Sequence, residues 1–132
     1  SPNTVTWTGN NRTHMVRVPG PGRFELRLAD GAANPYLLQA VIIASGLEGI
    51  RTKADPGKRY DIDMYSEGHK AGGAQKLPLN LLDALRAFDN DKVLKEAMGL
   101  DFSEAYLKLK NHEWNSYMAH LSSWEKENTL DV

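Results

Sequence analysis

The chain has 132 residues, 41% of them apolar and 25% charged, with a formal net charge of −1 and no cysteine. That length suffices for one domain with a real core, since a domain of about 150 residues buries roughly 70% of its unfolded surface. Near-neutrality argues against nucleic acid or an anionic membrane as partner, the missing thiols suit a cytoplasmic protein, and no run approaches the ~20 apolar residues of a membrane span.

Thr4-Val5-Thr6-Trp7 has strand propensity and Gly9-Asn10-Asn11 has turn chemistry. From Thr13 to Val18 the chain alternates, placing His14, Val16 and Val18 on one face and Thr13, Met15 and Arg17 on the other. Pro19-Gly20-Pro21-Gly22 interrupts this run, and Arg23 to Asp30 alternates again. There Phe24, Leu26 and Leu28 share one face, and Arg23, Glu25 and Arg27 the other. The pattern predicts an antiparallel hairpin. For Arg17 to share a face with Glu25 and Arg27 it must lie across from an odd-numbered residue, and Glu25 is the natural choice. That register pairs Val18 with Phe24 over a five-residue connection, Pro19 to Arg23. A slip by one residue would bury Arg17 among the strand's apolar side chains. A carboxylate flanked by two guanidiniums suits a salt-bridged surface as well as it suits a site for a phosphate and its metal.

Asn34 is a good N-cap and Pro35 a good first helical residue, so a helix should run from Pro35 to about Glu48. Its sequence is apolar nearly all round, interrupted by Gln39 and Ser45, which predicts burial on most sides. Gly46 and Gly49 should mark its end. Residues 51–79 read as loop, with a short strand or one helical turn within Tyr60–Tyr65 and a mobile stretch from Ser66 to Lys76. The glycines of that stretch lack the Gly-Lys-Ser/Thr ending of a phosphate loop. Asn80 caps a helix with Leu81, Leu82, Leu85 and Phe88 at helical spacing, and Asp91 starts another that Gly99 closes. Ser103 is a candidate cap for a long helix to about Leu121, and Ser122 with Glu125 has the capping-box spacing of a last short helix. His14, His69, His112 and His120 have no metal-ligand spacing and read as structural or surface residues. The fold class is α+β: an antiparallel hairpin of a larger sheet, then a mostly helical C-terminal half.

Three segments carry a family resemblance. Asn11-Arg12-Thr13-His14-Met15-Val16-Arg17-Val18-Pro19 is one. Arg23-Phe24-Glu25-Leu26-Arg27 with Asp30 and Asn34-Pro35-Tyr36-Leu37 is the second, and Ala44-Ser45-Gly46-Leu47-Glu48-Gly49-Ile50 the third. In order and spacing they resemble the signature segments of the glutamine synthetase family. The tail, from Glu113-Trp114-Asn115 to Ser123-Trp124-Glu125, is similar to a bacterial branch that includes type III-like synthetases and γ-glutamylmethylamide synthetases.

The resemblance implies an ATP-dependent ligase that joins ammonia to the γ-carboxylate of glutamate through a γ-glutamyl phosphate. Another amine, such as methylamine, would keep every motif. A non-catalytic assembly module, its arginines making only ion pairs, is the rival from a different class. By the same resemblance Glu25 matches a ligand for Mg²⁺ or Mn²⁺ and Arg23 a nucleotide-contacting arginine. Arg12 and Arg17 match catalytic arginines facing the transferred phosphoryl group and the glutamate side chain, and Arg27, with Arg12, substrate binding. Residues 1–132 would then be the C-terminal fragment of a catalytic domain whose full-length form is a homo-oligomeric ring, and the fragment alone would be inactive. Two departures stand out: the short Pro19–Gly22 connection, and Leu28-Ala29-Asp30-Gly31 where the family usually has Phe-Pro-Asp-Pro or Thr-Val-Asp-Gly.

Overall fold

The computed structural model describes residues 2–130. The chain divides into two compact units, Ser1–Pro78 and Leu79–Val132.

The first unit is built on a three-stranded sheet of order β1-β2-β3. Strand β1 (Trp7–Thr8) runs parallel to β2 (Val16–Gly20), with Trp7 opposite Val16 and Thr8 opposite Arg17. Strand β3 (Arg23–Leu26) returns antiparallel to β2, as the alternation predicts. Arg17 lies opposite Glu25 and Val16 opposite Leu26, in the register that the face argument requires. The connection differs from the expected five-residue loop. Gly20 pairs with Arg23 across Pro21-Gly22 alone, so Val18 and Pro19 together oppose Phe24 as a bulge. Proline lacks the donor that a regular ladder position needs, so Pro19 fits a bulge, while Pro21 followed by Gly22 at φ 72° has the residue pattern of a type II turn.

Helix α1 (Pro35–Thr52) starts where predicted: the Asn34 side chain accepts from the amides of Tyr36 and Leu37, and Pro35 is first. It runs past Gly46 and Gly49, since one glycine costs a helix only about 1 kcal/mol, and the Glu48–Arg51 ion pair spans the last turn. Lys53, left-handed at φ 52°, ends it. The expected burial is not met: no residue of α1 is buried, and Tyr36, Leu47 and Ile50 are 83%, 62% and 76% exposed. Amphipathicity directs a helix toward a core, and this one has apolar residues on every side, of which Leu37, Leu38, Val41 and Ile42 are partly covered and none is buried among the described residues. The stretch from Ser66 is more ordered than its composition predicts. It holds α2 (Met64–Glu67) and a 3₁₀ turn with buried Ala71, and Lys76 bridges to Thr4.

In the second unit α3 (Leu81–Asn90), α4 (Lys92–Met98) and α5 (Leu100–Met118) pack together, followed by α6 (Ser123–Thr129). Asn80 and Asp91 cap α3 and α4 as expected, and the capping box of Ser122 and Glu125 is complete in both directions. Helix α5 begins earlier than predicted, directly after Gly99 at φ 92°. Ser103 is therefore no cap: it is fully buried and its Oγ donates to the Lys95 carbonyl at 3.1 Å. Leu85 is the one buried apolar residue among those described in this unit, and Tyr106 meets Phe88 edge-on and stacks on Phe102.

Candidate active site on the arginine face of the hairpin

Directly opposed residues of an antiparallel pair point to one side, and here Arg17 and Glu25 are such a pair. Arg17 Nη1 donates to Glu25 Oε2 at 2.7 Å, and Arg23 Nη2 donates to Oε1 at 2.5 Å. Arg17 is also held from behind, through Nε at 3.1 Å and through Nη2, by the side-chain oxygen of Asn10. The three are graded in exposure: the Arg17 side chain is 12% exposed, Glu25 29% and Arg23 67%. The Arg17 hydrogen bond holds the Glu25 carboxyl below the usual carboxylate range against a smaller opposing effect of desolvation, and the Arg23 hydrogen bond adds to it. Glu25 is thus an ionised oxygen donor held between two forks.

Arg27 stands just past β3, half-buried, its amide donating to the Met15 carbonyl at 2.8 Å. Arg12 is exposed in the loop between β1 and β2. Neither makes an ion pair among the described residues, where Arg17 and Arg23 do. Of the five residues singled out by sequence, the hairpin gathers Arg17, Arg23 and Glu25 into one cluster and leaves the Arg12 and Arg27 guanidiniums uncommitted. The described residues include no group of three histidine, aspartate or glutamate side chains able to surround a metal.

Other residues support the site that the sequence reading did not single out. The loop bearing Arg12 is tied to residues 61–64: Asn11 Nδ2 donates to the Ile62 carbonyl at 3.0 Å, and the Met64 amide donates to Thr13 Oγ1 at 3.0 Å. Thr8 Oγ1 donates to Asp61 at 2.9 Å, and Arg59 pairs with the same carboxylate at 2.8 Å. The Asn11-x-Thr13 spacing, with Asn11 Oδ1 accepting from the Thr13 amide at 2.9 Å, was the legible signal of a side-chain turn. Asp61 and Ile62 lie fifty residues away and carried none. The opposite face of the hairpin is apolar, with Trp7, Val16, Val18, Phe24 and Pro56 lining a cleft of about 420 Å³.

The family model "Glutamine synthetase, catalytic domain" matches residues 1–129. The chain belongs to the glutamine synthetase family. It is 74% identical, over its whole length, to the glutamine synthetase of Rhizobium leguminosarum bv. phaseoli, and 40% identical over 99% of its length to the glutamate–methylamine ligase of Methyloversatilis universalis. A solved structure described as a GmaS/ADP complex superposes over the entire chain with a TM-score of 0.93 at 58% identity. The chain spans about 30% of the length of each of these relatives. The sheet and helices described above are thus the glutamine synthetase arrangement of its GmaS-like branch, and the ion-paired face lies within the matched segment.

Proposed function

We propose that residues 1–132 are the C-terminal part of a glutamine synthetase-type catalytic domain, and that the full-length protein forms glutamine from glutamate and ammonia at the expense of ATP. The observation that carries this reading is the ionised Glu25 gripped by Arg17 and Arg23, with Arg27 and Arg12 left free for ligand oxygens on residues that match the family's signature. Phosphoryl transfer demands positioning and charge neutralisation more than covalent participation by the protein. A γ-carboxylate oxygen attacks the γ-phosphorus of ATP and ADP leaves. The amine nitrogen then attacks the acyl carbon, phosphate leaves, and the nitrogen gives up a proton.

In this reading Arg23 contacts the nucleotide and Arg17 and Arg12 neutralise the transferred phosphoryl group. Arg27 and Arg12 hold the glutamate. A guanidinium fork engages two oxygens at once, which an ammonium cannot. Glu25, an ionised oxygen donor, would supply one ligand to Mg²⁺ or Mn²⁺, whose chemistry is to neutralise phosphate charge. The remaining ligands and the cover for α1 would come from the rest of the polypeptide or from neighbouring subunits of a homo-oligomeric ring. No described helix is long and apolar enough to cross a membrane, in keeping with a cytoplasmic enzyme.

Likeness to the glutamate–methylamine ligase of Methyloversatilis universalis at 40% identity supports a second reading, in which the amine is methylamine. The assembly-module reading is weaker, because a face built only for ion pairs would not leave two arginines without carboxylates. Phosphate release by the full-length protein, with glutamate, ATP and a panel of ammonia, methylamine and ethylamine, decides among them. Ammonia-dependent release supports the first reading and methylamine preference the second. No amine-dependent release sinks both.

A further inference from the structure

Between β1 and β2 lies a buried histidine that the proposed chemistry does not use. His14 is fully buried, and its Nε2 sits 2.9 Å from the Ile62 carbonyl oxygen. A carbonyl only accepts, so Nε2 carries the hydrogen. The same oxygen accepts from Asn11 Nδ2 at 3.0 Å, which fills both of its lone pairs. His14 Nδ1 has no partner among the described residues. Arg12 stands between these two donors, and Arg17 follows three residues later at the centre of the ion-pair cluster. At the start of the loop the Arg59 guanidinium lies close to Gly9, where an added Cβ would stand 2.7 Å from its Nη2, and it pairs with Asp61.

We propose that His14 is a positioning residue for the arginine face. Together with Asn11 it fastens the Arg12 loop onto the Ile62 carbonyl and so fixes where Arg12 and Arg17 present their guanidiniums. The fastening is needed because the loop joins two strands through a parallel pairing only two residues long. So short a ladder restrains its connection weakly, and an exposed arginine on an unfastened loop would sample many positions at once. Misplacing a catalytic group by about 1 Å can cost a hundredfold in rate. This inference rests on the ligase reading given above.

The test compares His14→Leu with His14→Gln in the full-length protein. Leucine fills the space without a donor, whereas a glutamine amide nitrogen can stand where Nε2 stands and donate to Ile62. We expect His14→Leu to lower kcat with glutamate and ammonia by roughly tenfold to a hundredfold while the KM for ATP stays nearly unchanged. Hydrogen–deuterium exchange across residues 9–15 should quicken in the same variant, and His14→Gln should restore most of both. Faster exchange with unchanged kinetics overturns the proposal, because the loop would then be fastened for stability alone. Equal losses of activity and thermal stability in both variants overturn it too. A wild-type protein without amine-dependent phosphate release refutes the ligase reading itself, and slower exchange in wild type than in His14→Leu would then leave His14 a structural residue only.

Discussion

The two units of this chain are held by different means. In the sheet unit the buried residues are mostly polar, Thr6, Thr8 and His14 beside Ala71, and the hydrogen bonds of Thr8 and His14 reach across about fifty residues of sequence. In the helical unit the signals are local: Asn80, Asp91 and Ser122 each cap the helix that follows them, and Leu85 and the Phe88–Tyr106–Phe102 cluster supply the packing. The difference teaches where chemistry is placed. A site that must hold several charges in fixed positions needs polar partners from distant segments, whereas a unit that only needs to fold can rely on caps and apolar contacts.

The largest effect should come from breaking the charge cluster. In the full-length protein Glu25→Gln and, separately, Arg17→Lys should each cut turnover by about a hundredfold to a thousandfold, the scale of losing one preorganised electrostatic contact. Circular dichroism and oligomeric state should stay unchanged. Lysine keeps the charge and loses the fork, so near wild-type activity in Arg17→Lys would show that geometry at this face is unimportant. The same activity at ordinary Mg²⁺ in Glu25→Gln would remove the metal assignment.

The same contrast explains what was legible in the sequence. Caps are written within three or four residues, so Asn34, Asn80, Asp91 and the Ser122–Glu125 box were each readable, and so was the Arg17–Glu25 register, which rests on alternation alone. Ser103 misled because a serine before a helical run looks like a cap, when the turn at Gly99 had already started the helix and the hydroxyl serves Lys95 instead. The bulge at Val18–Pro19 was hidden because a turn and a longer loop use the same prolines and glycines. Helix α1 misled in a more useful way. Its apolar composition predicted burial, and yet Tyr36, Ile43, Leu47 and Ile50 stand open. The fastening of the Arg12 loop to Ile62 and Met64 depends on contacts that no local pattern encodes.

Leu85→Ala tests the other side of the comparison. Truncating a buried leucine costs about 2–5 kcal/mol, and Leu85 is 4% exposed. Chemical denaturation of the full-length protein should register that loss in the transition that includes the helical unit. The KM values for glutamate and ATP of the enzyme that remains folded should be unaltered. A changed KM would mean that the helical unit shapes the site after all. A smaller effect of the same kind is expected at the last cap. Ser122→Ala removes the hydroxyl that accepts from the Glu125 amide, and losing such a cap costs about 1 kcal/mol. Exchange of the α6 amides should quicken while those of the sheet unit do not.

The smallest expected effect is the one that separates the two units most cleanly. Each holds a glutamate whose carboxyl is pushed below its ordinary value of 4.5. For Glu25 the leading cause is the hydrogen bond from the Arg17 guanidinium, with Arg23 behind it. For Glu125 the leading causes are the Ser122 hydroxyl and then the Ser122 amide, both neutral, with the charge of His120 a smaller one behind them. The sign is the same in both. A carboxyl that is easier to ionise in the folded state adds stability that is fully present above the ordinary value and is lost as pH falls through the lowered one. The salt dependence differs. At 1 M ionic strength the Debye length shrinks to about 3 Å, which weakens attraction between partly solvated charges and leaves neutral donors nearly untouched. Titrating both side chains by NMR from pH 2 to 6, at low and at high salt, should therefore move the Glu25 midpoint back toward 4.5 and move that of Glu125 less. A Glu25 midpoint that does not move with salt would mean that Glu25 is held by hydrogen-bond geometry rather than by charge. The arginine face would then have little net field to offer a phosphate.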